Sequence, residues 1–119
     1  MSFRLHMRER LMVKARELCG IIVNSLQWRA YSHDKQFTWQ EAMDIAQNHR
    51  WRIPTIKELK GFYDSEMHKL VNIKPYYYWS STTYALGTTY AWNVSFNYGS
   101  VNASLKTNAH YVICVRDVL

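Results

Sequence analysis

An α+β domain, with helices first and an antiparallel sheet last, is the fold class the sequence predicts. Three observations carry this expectation. Two capping-box signatures, Thr38 with Glu41 and Thr55 with Glu58, open amphipathic segments in the first half. Polar and apolar residues alternate through 91–96 and again through 101–106, as they do along strands. The chain has 119 residues, of which 48% are hydrophobic, which suits one core and one domain.

Residues 7–19 read as a helix. Leu11, Ala15, Leu18 and Ile22 recur at helical spacing, with Gly20 as the terminator. "IIVNSLQWRAYS" (21–32) has the β-branched and aromatic content of a strand, and "HDK" (33–35) a turn. In "FTWQEAMDIAQNH", Thr38 caps a helix whose apolar stripe is Trp39, Met43 and Ala46, with Ala42 beside them. "PTIKELKGFY" repeats the signal, with Ile56, Leu59 and Phe62/Tyr63 as its apolar face. Between the two lies "WRIP". Pro54 pushes Ile53 toward an extended conformation, so this stretch reads as a structural joint between helices rather than a catalytic loop.

"DSEMHKLVNIK" reads as a loop. In "AWNVSF", Trp92, Val94 and Phe96 fall on one face and Asn93 and Ser95 on the other. "NYGS" has hairpin-turn chemistry, and "VNASLK" sets Val101, Ala103 and Leu105 opposite Asn102, Ser104 and Lys106. "TNAH" turns again, and "YVICV" (111–115) is apolar enough for a buried strand that completes an antiparallel meander.

With 15% aromatics the chain is too apolar for disorder, and no apolar run reaches the roughly 18 residues of a membrane span. The start has charges scattered through it and lacks a secretory leader's apolar stretch, which gives a cytoplasmic expectation. Net charge is +6. The excess is concentrated in residues 1–29, where Arg4, Arg8, Arg10, Lys14, Arg16 and Arg29 face only Glu9 and Glu17. Such an excess suits polyanions or acidic protein surfaces, and equally a solvated helix face. Cys19 and Cys114 have no metal-ligand spacing and are expected to be free thiols, with one long-range bridge as the alternative.

"FTWQEAMDIA", "WRIPTIKEL", "YYYWSSTTYA", "YAWNVSFNYGSV" and "YVICVRD" occur in this order across residues 27–117. They resemble the domain at the C-terminus of the Legionella collagen-like adhesin. That family is similar to the C-type-lectin-like fold, in the branch of formylglycine-generating enzymes and variable phage receptor-binding proteins. The resemblance implies two or three helices packed on a small twisted antiparallel sheet, with a loop-rich second half carrying the binding surface. It makes residues 1–26 an N-terminal helical extension and 27–119 the lectin-like domain. Trp51, Trp79 and Trp92 fall on family motif positions, which implies core roles. Family members often carry a cysteine late in the first family helix that could pair with one in the last strand. "AMDIAQ" has none, which leaves Cys114 without that partner.

Several chemistries lack their residues. A calcium-dependent lectin needs converging carboxylates, but Asp117 is the single one after residue 66, and Val94 stands where the lectin Trp-Asn pair needs Asp. Formylglycine-generating chemistry needs a cysteine pair, and Cys114 is alone in its half of the chain. The five histidines include no zinc-binding helical pair, and Ser80 and Ser81 have no evident His and acid partners. The expectation is a non-enzyme without cofactor or metal.

A surface remains. Seven tyrosines between residues 76 and 111 are interleaved with Ser, Thr, Asn and Gly, the vocabulary of a paratope. About half of these tyrosines are expected in the core. The candidate binding residues are Tyr84, Tyr90 and Tyr98, the polar hairpin edge Asn93, Ser95, Asn102, Ser104 and Lys106, the neighbouring His110, and Arg8 and Arg16 on the basic helix. Three partners compete. The first is a cytoplasmic protein, as for a phage or mobile-element inhibitor such as an anti-CRISPR. The second is an anionic glycan outside the cell, as the adhesin resemblance implies. The third is nucleic acid bound through the basic helix with stacking tyrosines.

Overall fold

The computed structural model describes residues 20–32 and 34–118. The helix expected over 7–19, Cys19, Arg8, Arg16 and His33 lie outside the described residues.

The stretch 21–32 holds two strands rather than one. β1 (Ile21–Val23) and β2 (Leu26–Ala30) pair antiparallel through a two-residue turn. Asn24 and Ser25 both take positive φ, 55° and 64°, as the hairpin turn matched to strand twist requires. Gly20 precedes β1 at φ 77°, and a Cβ there would run into the Trp28 carbonyl.

Both capping boxes form as expected. α1 (Trp39–Asn48) starts at Thr38, whose hydroxyl accepts from the Glu41 N–H while the Glu41 carboxylate accepts from the Thr38 N–H. α2 (Ile56–Asp64) repeats the pattern with Thr55 and Glu58. The joint between them also pairs with a strand, because Arg52 and Val115 exchange backbone hydrogen bonds of 2.9 and 2.7 Å. Ile53 and Pro54 are buried beneath it. The segment expected to be a loop contains a 3₁₀ turn at Met67–Leu70.

The expected single sheet is in fact two. β3 (Tyr77–Thr83), β4 (Tyr90–Ser95) and β5 (Val101–Leu105) form an antiparallel meander. β6 (Ile113–Asp117) does not continue it. It crosses back to pair with β2, giving the order β1-β2-β6. A bridge between Tyr78 and Tyr111 joins the sheets. The chain is α+β, with two helices and two small three-stranded sheets.

Two apolar clusters fill the interior. In one, Trp28 stacks on Phe62, with centroids 4.1 Å apart and planes 9° from parallel, among Leu59, Tyr78, Val94 and Val115. In the other, Ala42 and Ala46 of α1 meet Ile53, Trp79, Ala91 and Cys114.

Candidate functional site

On the β3-β4-β5 sheet Val94 and Phe96 are buried as expected, but the polar edge does not face outward. Asn93, Ser95, Asn102, Ser104 and Lys106 were expected to point outward, yet Asn93 and Ser95 are buried and Asn102, Ser104 and Lys106 half-buried. The chain ahead of α1 lies over this polar face. The Trp39 N–H donates to the Lys106 carbonyl at 3.0 Å, and the Trp79 indole donates to the Phe37 carbonyl at 2.8 Å. Most of the polar groups there are paired with one another and with the backbone. The Asn93 amide donates to Ser104 Oγ at 2.8 Å, and Ser95 Oγ accepts from the Asn97 and Tyr98 N–H groups in the turn. The Lys106 ammonium sits 4.0 Å from the Trp39 ring centre.

The opposite face is apolar and half open. α2 covers its Tyr78–Val94 end with Leu59 and Phe62. Beyond that cover, cross-strand pairs Tyr90–Leu105 and Trp92–Ala103 line the sheet, with Val101 opposite the covered Val94. Val101 and Leu105 are each 40% exposed, Tyr90 38%, and Leu86 in the β3–β4 turn 88%. Tyr84 packs edge-on against Trp92 and at 6.4 Å from Tyr90. None of these side chains carries a charge.

Tyr84 and Tyr90 are thus the expected site residues that come together on an accessible surface. Tyr98 projects at the hairpin tip, 81% exposed. His110 is held between Tyr77 and Trp79, with centroids at 5.4 and 4.6 Å, and its Nε2 has no hydrogen-bond partner among the described residues. Burial lowers its pKa. Of the three tryptophans with implied core roles, Trp79 is fully buried, whereas Trp51 and Trp92 are only half-buried. Among the seven tyrosines Tyr78 and Tyr111 are core, fewer than the half expected. Trp92, Leu105, Val101 and Leu86 were missed. Leu86 gave the available signal, an apolar residue inside a turn.

A second feature surrounds Trp51. Arg116 stacks 4.3 Å from its ring centre, and Arg50 and Arg52 complete a hollow of about 250 Å³ that Asp117 also lines. Arg52 is engaged, since its guanidinium donates to both Glu58 oxygens at 2.7 and 2.9 Å. That hydrogen bonding raises the Arg52 pKa and holds the Glu58 carboxyl below its ordinary value. Cys114 borders a smaller cavity of about 70 Å³ with Arg29, Tyr31, His49 and Trp51, and burial pushes its thiol up to about 12. Among the described residues, no three of His, Cys, Asp and Glu converge as a metal ion would need.

The Lcl C-terminal domain model matches residues 22–116, from β1 into β6. The chain belongs to the Lcl C-terminal domain family. No curated protein matches it. The match to this Lcl C-terminal domain covers both sheets and both helices, and so includes the β4–β5 face and the arginine hollow.

Proposed function

We propose that the chain is a non-catalytic binding module on a C-type-lectin-like scaffold, gripping a protein partner in the cytoplasm through the open face of β4 and β5. One observation carries this reading: Tyr84, Tyr90, Trp92 and Leu105 form a contiguous half-open apolar surface with no ionic group among them. Aromatic side chains in such a patch supply large contact area for little lost side-chain freedom, and they dominate protein interfaces when fully desolvated. A surface without charge has little to offer a polyanion.

Photo-crosslinking tests it. Benzoylphenylalanine replacing Tyr90 should give a discrete adduct with a host protein, and the same group replacing Lys57 on α2 should not. Adducts from both positions, or from neither, would remove this reading.

A second reading, an extracellular module for anionic glycans, is favoured by the hollow where Arg50, Arg52 and Arg116 surround Trp51. It requires heparin retention that falls steeply with salt and is lost in R50A/R116A, with Tyr90 substitutions silent.

A further inference from the structure

α1 and the extended link after it diverge around a groove of about 580 Å³, within the roughly 300–1,000 Å³ typical of small-molecule sites. The groove shares no residue with the β4–β5 face. Its floor is apolar, built from buried Ala46 and Ile53 with half-buried Met43. Two half-buried indoles, Trp39 and Trp51, line it from α1 and from the link.

Both indoles are fixed in place before any ligand arrives. The Trp39 indole N–H donates to the Ser80 carbonyl at 3.0 Å while Lys106 sits over its ring, and Arg116 stacks on Trp51. Their ring surfaces are therefore rigid platforms, which cost little entropy to use.

The polar rim excludes most charged ligands. Its fixed charges are one carboxylate, Asp44, and one guanidinium, Arg52, which Glu58 already neutralises. Among the described lining residues a phosphate or sulfate would meet Asp44 with no free cation opposite it, while the Lys106 and Arg116 cations are held against the two indole rings. One Asp44 oxygen accepts from the Gln40 amide at 3.0 Å, and the carboxylate retains further acceptor capacity. The Gln47 amide, one turn along the same helix face, has no hydrogen-bond partner among the described residues and can both donate and accept.

We propose that this groove binds a neutral saccharide, with one or two pyranose rings laid against Trp39 and Trp51 and their hydroxyls taken by Asp44 and Gln47. A pyranose matches both halves of the lining. Its C–H face is apolar and flat enough to lie on an indole, and its rim of hydroxyls is uncharged and needs partners that accept as well as donate. An aliphatic peptide side chain would use the floor and leave the Asp44–Gln47 rim desolvated without a partner.

The test is an NMR titration of the indole N–H resonances. The probes are cellobiose, maltose, lactose, mannobiose and diacetylchitobiose, with a sulfated heparin disaccharide as the charged control. At least one neutral disaccharide should shift the Trp39 and Trp51 resonances saturably at millimolar concentration while leaving Trp92 unmoved. D44N and Q47A should each weaken that binding about tenfold, the loss of one hydrogen bond to a strong partner. Both positions are exposed, and the free-protein indole spectrum checks that each variant folds. Silence across the neutral panel, a larger shift at the same indoles with the sulfated sugar, or full affinity in D44N and Q47A would each overturn the proposal. None of these outcomes bears on the β4–β5 face, because Tyr90 crosslinking reads that face separately.

Discussion

The rings of Tyr84 and Trp92 meet edge to face, with centroids 5.0 Å apart and planes at 88°. This contact braces Trp92, so that an indole that looks like a core residue in sequence can stay half open on the sheet surface. Its edge-to-face geometry is worth about 0.5–1.5 kcal/mol beyond area burial. Tyr84→Ala should therefore loosen Trp92 without unfolding the domain, read as a red shift and faster quenching of tryptophan fluorescence at unchanged far-UV circular dichroism.

The buried stack of Trp28 on Phe62 carries far more of the stability. Trp28 also donates its indole N–H to the Val23 carbonyl at 3.0 Å, tying the β1–β2 hairpin to the core. Trp28→Ala should cost about 3–5 kcal/mol in denaturant unfolding. A loss below about 1 kcal/mol would mean that the site collapses around the deletion.

The polar pair under the sheet gives a contrasting case. Asn93 is fully buried, its Oδ1 has no partner among the described residues, and its amide nitrogen donates to Ser104. Ser104→Ala removes only one oxygen, yet it should destabilise by about 1–3 kcal/mol because a buried donor is left unpaired. The double variant N93A/S104A should recover part of that loss in a double-mutant cycle.

Acid should weaken the fold in the range just below neutrality. His68 is buried among Phe62, Tyr63 and Phe96 with no partner for Nδ1 among the described residues, and burial lowers its pKa, as it does for His110. Both folded-state values lie below the ordinary 6.5, so the unfolded chain takes up protons first as pH falls. The stability they contribute is present above about pH 6.5 and is lost progressively as pH drops toward the folded values. His68→Phe should flatten the pH dependence of the melting temperature between pH 7 and 5, and H68F/H110F should flatten it further. An unchanged slope would assign acid sensitivity to other groups.

Cys114 should be slow to modify. A thiol raised to about 12 by burial holds almost no thiolate at neutral pH, and the thiolate is the reactive form. Iodoacetamide should label the peptide bearing Cys114 only after denaturation. Labelling of the native protein at the rate of a free peptide thiol would contradict the burial.

Local signals in this sequence were legible, and long-range ones were not. Thr38–Glu41 and Thr55–Glu58 act over three residues, so each box specifies its own helix start regardless of surroundings. The alternation in 91–96 and 101–106 likewise marks real strands. Which face points outward is a different kind of fact. It depends on Phe37–Trp39 lying against Trp79 and Lys106, some 40 to 70 residues away in the chain, and no period in the hairpin encodes that. β3 was missed because Tyr78, Trp79 and Ser80 are all buried, which erases alternation. The hairpin at Asn24-Ser25 was missed because it lacks the usual glycine. The groove between Trp39 and Trp51 escaped because its walls come from two elements whose divergence is set by tertiary packing.

β6 pairs with β2 on one side and with the Arg52 bridge on the other, so the last strand along the chain is the one that closes the first sheet. During synthesis, β1 and β2 emerge early but have no third strand until residues 113–117 leave the ribosome. Until then the hydrogen-bonding edge of β2 that β6 will occupy stays unpaired. The nascent domain must wait for its final strand, a delay that favours a slow, late folding step and gives chaperones a long interval in which to act.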